Sequence, residues 1–141
     1  MSNDALDQKV RDQVRSANLA FYDAHERCSL PTMQRIWEHS ARVVCVHPGW
    51  PILRGWSAVE DSWRRILGGP GRSQFILTNE EISVSGDMAW VTVDENLMSR
   101  QGALAVAATN VFAHHDDGWR LVIHHGSPMF PHGISPAAEH Q

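Results

Sequence analysis

Cysteine is scarce in this chain: two among 141 residues, Cys28 and Cys45, set far apart in no metal-binding or redox spacing. That excludes a disulfide framework and a thiolate zinc site, and it fits reduced thiols in a cytoplasmic protein. Positive charge is also short, with 12 Lys and Arg against 16 Asp and Glu, and the arginines are scattered rather than massed on one stripe. A nucleic-acid surface is not expected from such a balance. No apolar run approaches the roughly 18 residues of a membrane span, and the polar start MSNDALDQ does not read as a secretory signal. Internal repeats and interdomain linkers are missing, so the sequence reads as one domain over residues 1–128, followed by a Pro- and His-containing tail, 129–141, expected to be flexible. Tryptophan, by contrast, is plentiful, with six copies. Large rings at that density suit an aromatic-lined interior or a subunit interface.

Helical periodicity governs the first half. Leu6, Val10, Val14, Ala17 and Phe21 recur at three- and four-residue steps from Asp4 to about His25, which predicts a long amphipathic helix. Pro31 predicts the first position of a short second helix carrying Met33, Ile36 and Trp37. A β-branched run over Arg42 to Val46 predicts a strand, and the turn Pro48-Gly49 then delivers His47 and Trp50 to the strand end. Ser57 with Glu60 has the spacing of a capping box for a third helix buried through Val59, Trp63, Ile66 and Leu67, closed by Gly68-Gly69.

Everything after Arg72 reads as strand. Four runs are separated by Gly86-Asp87, Gln101-Gly102 and Asp117-Gly118, the last a strong hairpin signal. The plan is α+β: a curved antiparallel sheet with three N-terminal helices enclosing a pocket. Taking those dipeptides as turn centres sets Asn110 roughly opposite Thr92 on one side and opposite His125 on the other. One face would then carry Trp90, Thr92, Asp94, Asn96, Asn110 and His125, a mixed lining suited to a pocket. The other would carry Ala89, Val91, Val93, Val111 and Val122, an aliphatic face suited to self-association as a homodimer.

The succession of V-H-P-G-W, L-R-G-W-S-A-V-E-D-S-W, T-N-V-F and W-R-L-V-I-H-H-G-S-P over about Val14 to Ser127 resembles the nuclear transport factor 2-like superfamily, and within it the SnoaL-like group. The resemblance implies a cone-shaped sheet closing a deep apolar pocket, commonly in dimers. Against ketosteroid isomerases, V-H-P-G-W sets His47 at the position of the general base, and T-N-V-F sets Asn110 at that of an oxyanion donor. The tyrosine donor of those enzymes falls near Phe21 and Tyr22. Both acids of the isomerase pattern are replaced, so steroid isomerisation is not implied. Against the association domain of calmodulin-dependent kinases, three pocket arginines fall on Asn96, Asn110 and Gly126, which leaves no carboxylate pocket on that model. Scytalone dehydratases place histidines and carboxylates in the same cavity.

The candidate catalytic set is His47 as base, Asn110 as oxyanion donor and His125 as the orienting partner of Asn110. Tyr22, Trp50, Trp63, Trp90, Asp94 and Asn96 are the candidate pocket lining. A plainer reading exists for each: His47 capping a turn, Asn110 satisfied internally, Asp94 paired at a rim, and tryptophans as core. The adjacent pairs His114-His115 and His124-His125 point to opposite faces of a strand, so no metal site is expected. Two classes remain: a cofactor-free isomerase, cyclase or dehydratase acting on a small apolar molecule, or a non-catalytic ligand-binding or dimerisation domain.

Overall fold

The computed structural model describes residues 3–130; most of the expected tail, 131–141, lies outside them. The helices are α1 (Asn3–Glu26), α2 (Leu30–Ile36) and α3 (Trp56–Leu67). The strands are β1 (Val44–Val46), β2 (Leu53–Arg54), β3 (Gln74–Ser85), β4 (Met88–Ser99), β5 (Gly102–His115) and β6 (Gly118–Pro128). They form one six-stranded sheet in the order β2-β1-β6-β5-β4-β3, antiparallel except where β1 runs parallel to β6. The α+β plan of the sequence is met, with β2 the element that periodicity did not reveal. No described helix is long and apolar enough to cross a membrane.

Local chemistry explains the element ends. The helix α1 closes with paired bonds, Ser29 N–H to Ala24 O and Cys28 N–H to His25 O. That arrangement needs a left-handed residue, and Cys28 supplies it with φ +53. Ser29 then caps α2, its Oγ accepting from Thr32 N–H. The expected capping box of α3 does not form. Gly55 occupies the cap at φ +84 and no side chain serves it, because the chain enters the helix from β2 at an angle open only to glycine. The first amide, Trp56 N–H, instead donates to Ser40 O.

The helices cover one face of the sheet, and the core lies between. Val14, Phe21, Val59 and Trp63 from the helices meet Val91, Phe112 and Leu121 from the strands, all buried. Phe21 and Trp63 meet edge to face at 5.5 Å, a contact worth about 1 kcal/mol beyond its burial.

Strand register corrects the expected faces. The β4–β5 turn centres on Arg100-Gln101, with Ser99 opposite Gly102, so Asn110 pairs with Val91 rather than Thr92. The β5–β6 turn centres on Asp116-Asp117, and a bulge between Val111 and Phe112 absorbs Val122, so Asn110 pairs with His124 rather than His125. A one-residue slip turns every side chain over. The helix-covered face therefore carries Ala89, Val91, Val93 and Glu95 with Ala108, Asn110 and His124. Trp90, Thr92, Asp94, Asn96 and His125 alternate onto the opposite face, so the aliphatic outer face proposed for self-association is absent there.

Candidate functional site

Two polar positions on α1 begin the site. Asn18 and Tyr22 sit one turn apart on the helix face that meets the sheet, in line with Val14. Strand alternation brings Glu95 to the same layer, and the cross-strand pair Asn110 and His124 completes it. The tyrosine hydroxyl donates to Glu95 Oε2 at 2.5 Å. Asn110 Nδ2 donates to Tyr22 Oη at 3.0 Å and to Asn18 Oδ1 at 2.9 Å. Its oxygen lies 2.6 Å from His124 Nδ1, which must therefore carry the proton and donate. Both amide hydrogens and the carbonyl of Asn110 are thus engaged in a fully buried chain.

A second imidazole lies beside this chain. His47 Nε2 is 2.9 Å from Ser62 Oγ, whose own hydrogen goes to Val59 O at 2.7 Å. The serine oxygen can only accept, so Nε2 is the protonated nitrogen and Nδ1 keeps its lone pair. The buried thiol Cys45 lies beside the ring, its Sγ 3.9 Å from Nδ1 and 3.6 Å from Nε2. The His47 ring meets Trp50 and Trp63 edge-on at 4.8 and 4.7 Å, and lies 6.4 Å from the His124 ring. A third imidazole, His25, meets Trp63 at 5.3 Å and Phe75 at 4.8 Å.

Burial sets the protonation states. Desolvation pulls His47 down to about 4 and His124 to about 3, each further opposed by neighbouring imidazoles. The same burial lowers His25 and raises the Cys45 thiol. Glu95 is pushed up to about 7 by desolvation, partly offset by the Tyr22 hydrogen bond. Tyr22 rises as well, by desolvation and by the adjacent carboxylate. At neutral pH the interior holds three neutral imidazoles and one carboxyl near its midpoint.

Of the sequence candidates, His47, Asn110, Tyr22, Trp50 and Trp63 come together on the helix-covered side. His125 is exposed on the other face opposite Thr109, so the orienting partner of Asn110 is His124. Trp90 is 38% exposed there. Asp94 accepts a long contact from Asn79 Nδ2, and Asn96 donates to Ile76 O and Thr78 Oγ1, all on that outer face. Sequence reasoning missed Glu95, Asn18, Ser62 and His25. Glu95 continues the Ala89-Val91-Val93 alternation, and Asn18 continues the Val14-Tyr22 spacing, so both signals were present in the pattern. A cleft of about 240 Å³ opens beside His25, lined also by Cys28, Leu67, Arg72, Ser99 and Arg100.

A family model described as the SnoaL-like domain matches residues 14–131. The chain belongs to the SnoaL-like domain family. A structure from Streptomyces avermitilis, provisionally named a dehydratase of the NTF2-like family, is 42% identical to this SnoaL-like domain with a TM-score of 0.82, covering 89% of this chain and 99% of that one. A Thiobacillus denitrificans structure, provisionally named a calcium/calmodulin-dependent protein kinase type II association domain, is 36% identical at TM-score 0.75, covering 82% and 94%. The F-box protein SKIP8 of Arabidopsis thaliana is 31% identical over 116 residues, 82% of this chain and 49% of that protein. The SnoaL-like domain therefore spans about half the length of this curated relative.

Proposed function

We propose that this SnoaL-like domain takes a small apolar molecule into its interior and shifts a proton on it without a cofactor, as an isomerase, cyclase or dehydratase. The observation that carries the reading is the buried chain Glu95–Tyr22–Asn110–His124, standing beside a neutral His47 whose Nδ1 keeps its lone pair near the weak donor Cys45. A core built only for stability has little use for so many polar groups, since each one left unpaired costs about 1–3 kcal/mol. Asn18 Nδ2, Trp63 Nε1 and His25 Nδ1 are indeed buried without a partner on another residue, as groups awaiting a ligand would be.

In this reading His47 Nδ1 takes a proton from the carbon beside a carbonyl; Glu95 in its protonated form donates to Tyr22 Oη, and Tyr22 turns its one hydroxyl hydrogen to the oxygen on which charge develops. Asn110 donates to the phenol oxygen and holds it in place, so its contribution to the oxyanion runs through Tyr22. Glu95 replenishes or receives the proton at Tyr22. With an acid near 7 and a base near 4, turnover should be highest between these values.

The test follows α-proton exchange of 2-tetralone in deuterated water by NMR. Exchange should be catalysed, should fall on either side of the window above, and should drop by roughly a hundredfold or more in His47→Ala. Exchange unchanged by that substitution would overturn the base. Similarity to the association domain favours a second reading, a non-catalytic dimerisation domain of the cytoplasm; it predicts self-association in sedimentation with no catalysed exchange.

A further inference from the structure

We infer that the cleft beside His25 receives the anionic head of an otherwise apolar ligand, of the aromatic or alicyclic carboxylate class. This deepens the reading above by adding a charge to the ligand, and rests on it in taking the cleft as the entrance. Three segments distant in sequence meet here: the end of α1 with His25 and Cys28, the α3–β3 connection with Pro70 and Arg72, and the β4–β5 turn with Ser99 and Arg100.

The charge distribution is what singles it out. Arg15, Arg27, Arg42, Arg64, Arg65 and Arg120 each face a carboxylate. Five arginines have no acidic partner among the described residues; Arg11 donates to Ile82 O and Arg35 to Thr32 Oγ1, Arg54 stands on β2, and the remaining two, Arg72 and Arg100, line the same cleft in a chain of net charge -4. No Asp or Glu joins them in its lining, where Ile66, Leu67 and Pro70 supply the apolar wall and Ser73 and Gln101 further polar groups. Two guanidinium groups over an apolar wall suit a carboxylate joined to a hydrocarbon body, because guanidinium and carboxylate match in shape as well as charge. At the inner end, His25 Nδ1 is buried and lacks a partner on another residue. It is therefore available to a ligand atom reaching past the rim toward Trp63 and Phe75.

Cys28 offers a direct readout, since it lines the cleft while Cys45 is fully buried. Alkylation of the native protein by iodoacetamide, followed by intact mass, is measured with 2-naphthoate and with its neutral counterpart 2-acetylnaphthalene. Naphthoate should protect Cys28 at lower concentration than the ketone. Its apparent affinity should fall roughly tenfold or more in Arg72→Gln/Arg100→Gln, and fall likewise as salt rises from about 0.05 M to about 0.5 M. Protection by the ketone should change in neither case. Equal protection by the two compounds, no protection by naphthoate, or a double variant that binds naphthoate undiminished overturns the inference. Tetralone exchange that persists through such a result leaves the proton-transfer reading intact, and arginine-dependent naphthoate binding without exchange removes that reading alone.

Discussion

At the scale of single residues, Asn110 concentrates more of the site than any other side chain. It makes three buried hydrogen bonds, to Asn18, Tyr22 and His124. Asn110→Leu keeps a similar volume but strips a partner from each of the three. With a desolvation penalty of about 1–3 kcal/mol for each stranded buried group, the variant should lose roughly 3 kcal/mol or more in urea unfolding. A loss under about 1 kcal/mol would mean that the neighbours re-pair and that the chain is not a single unit. Asn110 was legible in the sequence because an amide in an apolar strand demands a partner. Which partner was not legible, since His124 and His125 are chemically identical and only register tells them apart.

Register belongs to the scale of elements, and it is where pattern reading stopped. The first and third helices, the strand after Arg42 and the four long strands follow from periodicity and turn residues. The two turns centre on Arg100-Gln101 and Asp116-Asp117, next to the glycines rather than on them. A bulge at Val122 then shifts the second hairpin again. Bulges leave little trace in composition, so the end of β6 came out inverted, whereas β4, which pairs with β5 without a bulge, came out inverted because the partner of Asn110 was set one residue off, at Thr92 instead of Val91. One position on β6 does announce its packing. A Cβ at Gly126 would lie 3.1 Å from Val106 Cγ1 and 3.2 and 3.3 Å from Pro48 Cγ and Cδ. Pro48 follows His47, and its ring has little freedom to yield. Gly126→Ala should therefore destabilise the domain by about 1–3 kcal/mol and press on the bend that holds His47. Thermal unfolding at neutral pH checks the first effect, and tetralone exchange the second. A variant as stable as its parent would show that the β6–Pro48 contact relaxes freely.

For the whole molecule, the buried titrating groups pull stability in opposite directions with pH. His47 and His124 fall from an ordinary 6.5 to about 4 and about 3. Their contribution is present above pH 6.5 and is lost as pH drops through the folded values. His25 moves the same way. Glu95 rises from 4.5 to about 7, so its contribution is present below 4.5 and is lost as pH climbs through 7. Between 4.5 and 6.5 two or more imidazoles outweigh one carboxyl, and stability should rise with pH by a net proton or more, about 1.4 kcal/mol per pH unit for each. Above 6.5 the imidazoles no longer contribute a slope, and ionising Glu95 in its buried place should turn the curve down. Glu95→Gln removes that downturn while keeping a polar group within reach of Tyr22. Calorimetric unfolding of both proteins at about pH 5, 6, 7 and 8 should give curves that diverge upward for the variant across the carboxyl's titration. Parallel curves would mean that Glu95 ionises without cost, which would place it in contact with solvent and take the acid out of the proposed proton path.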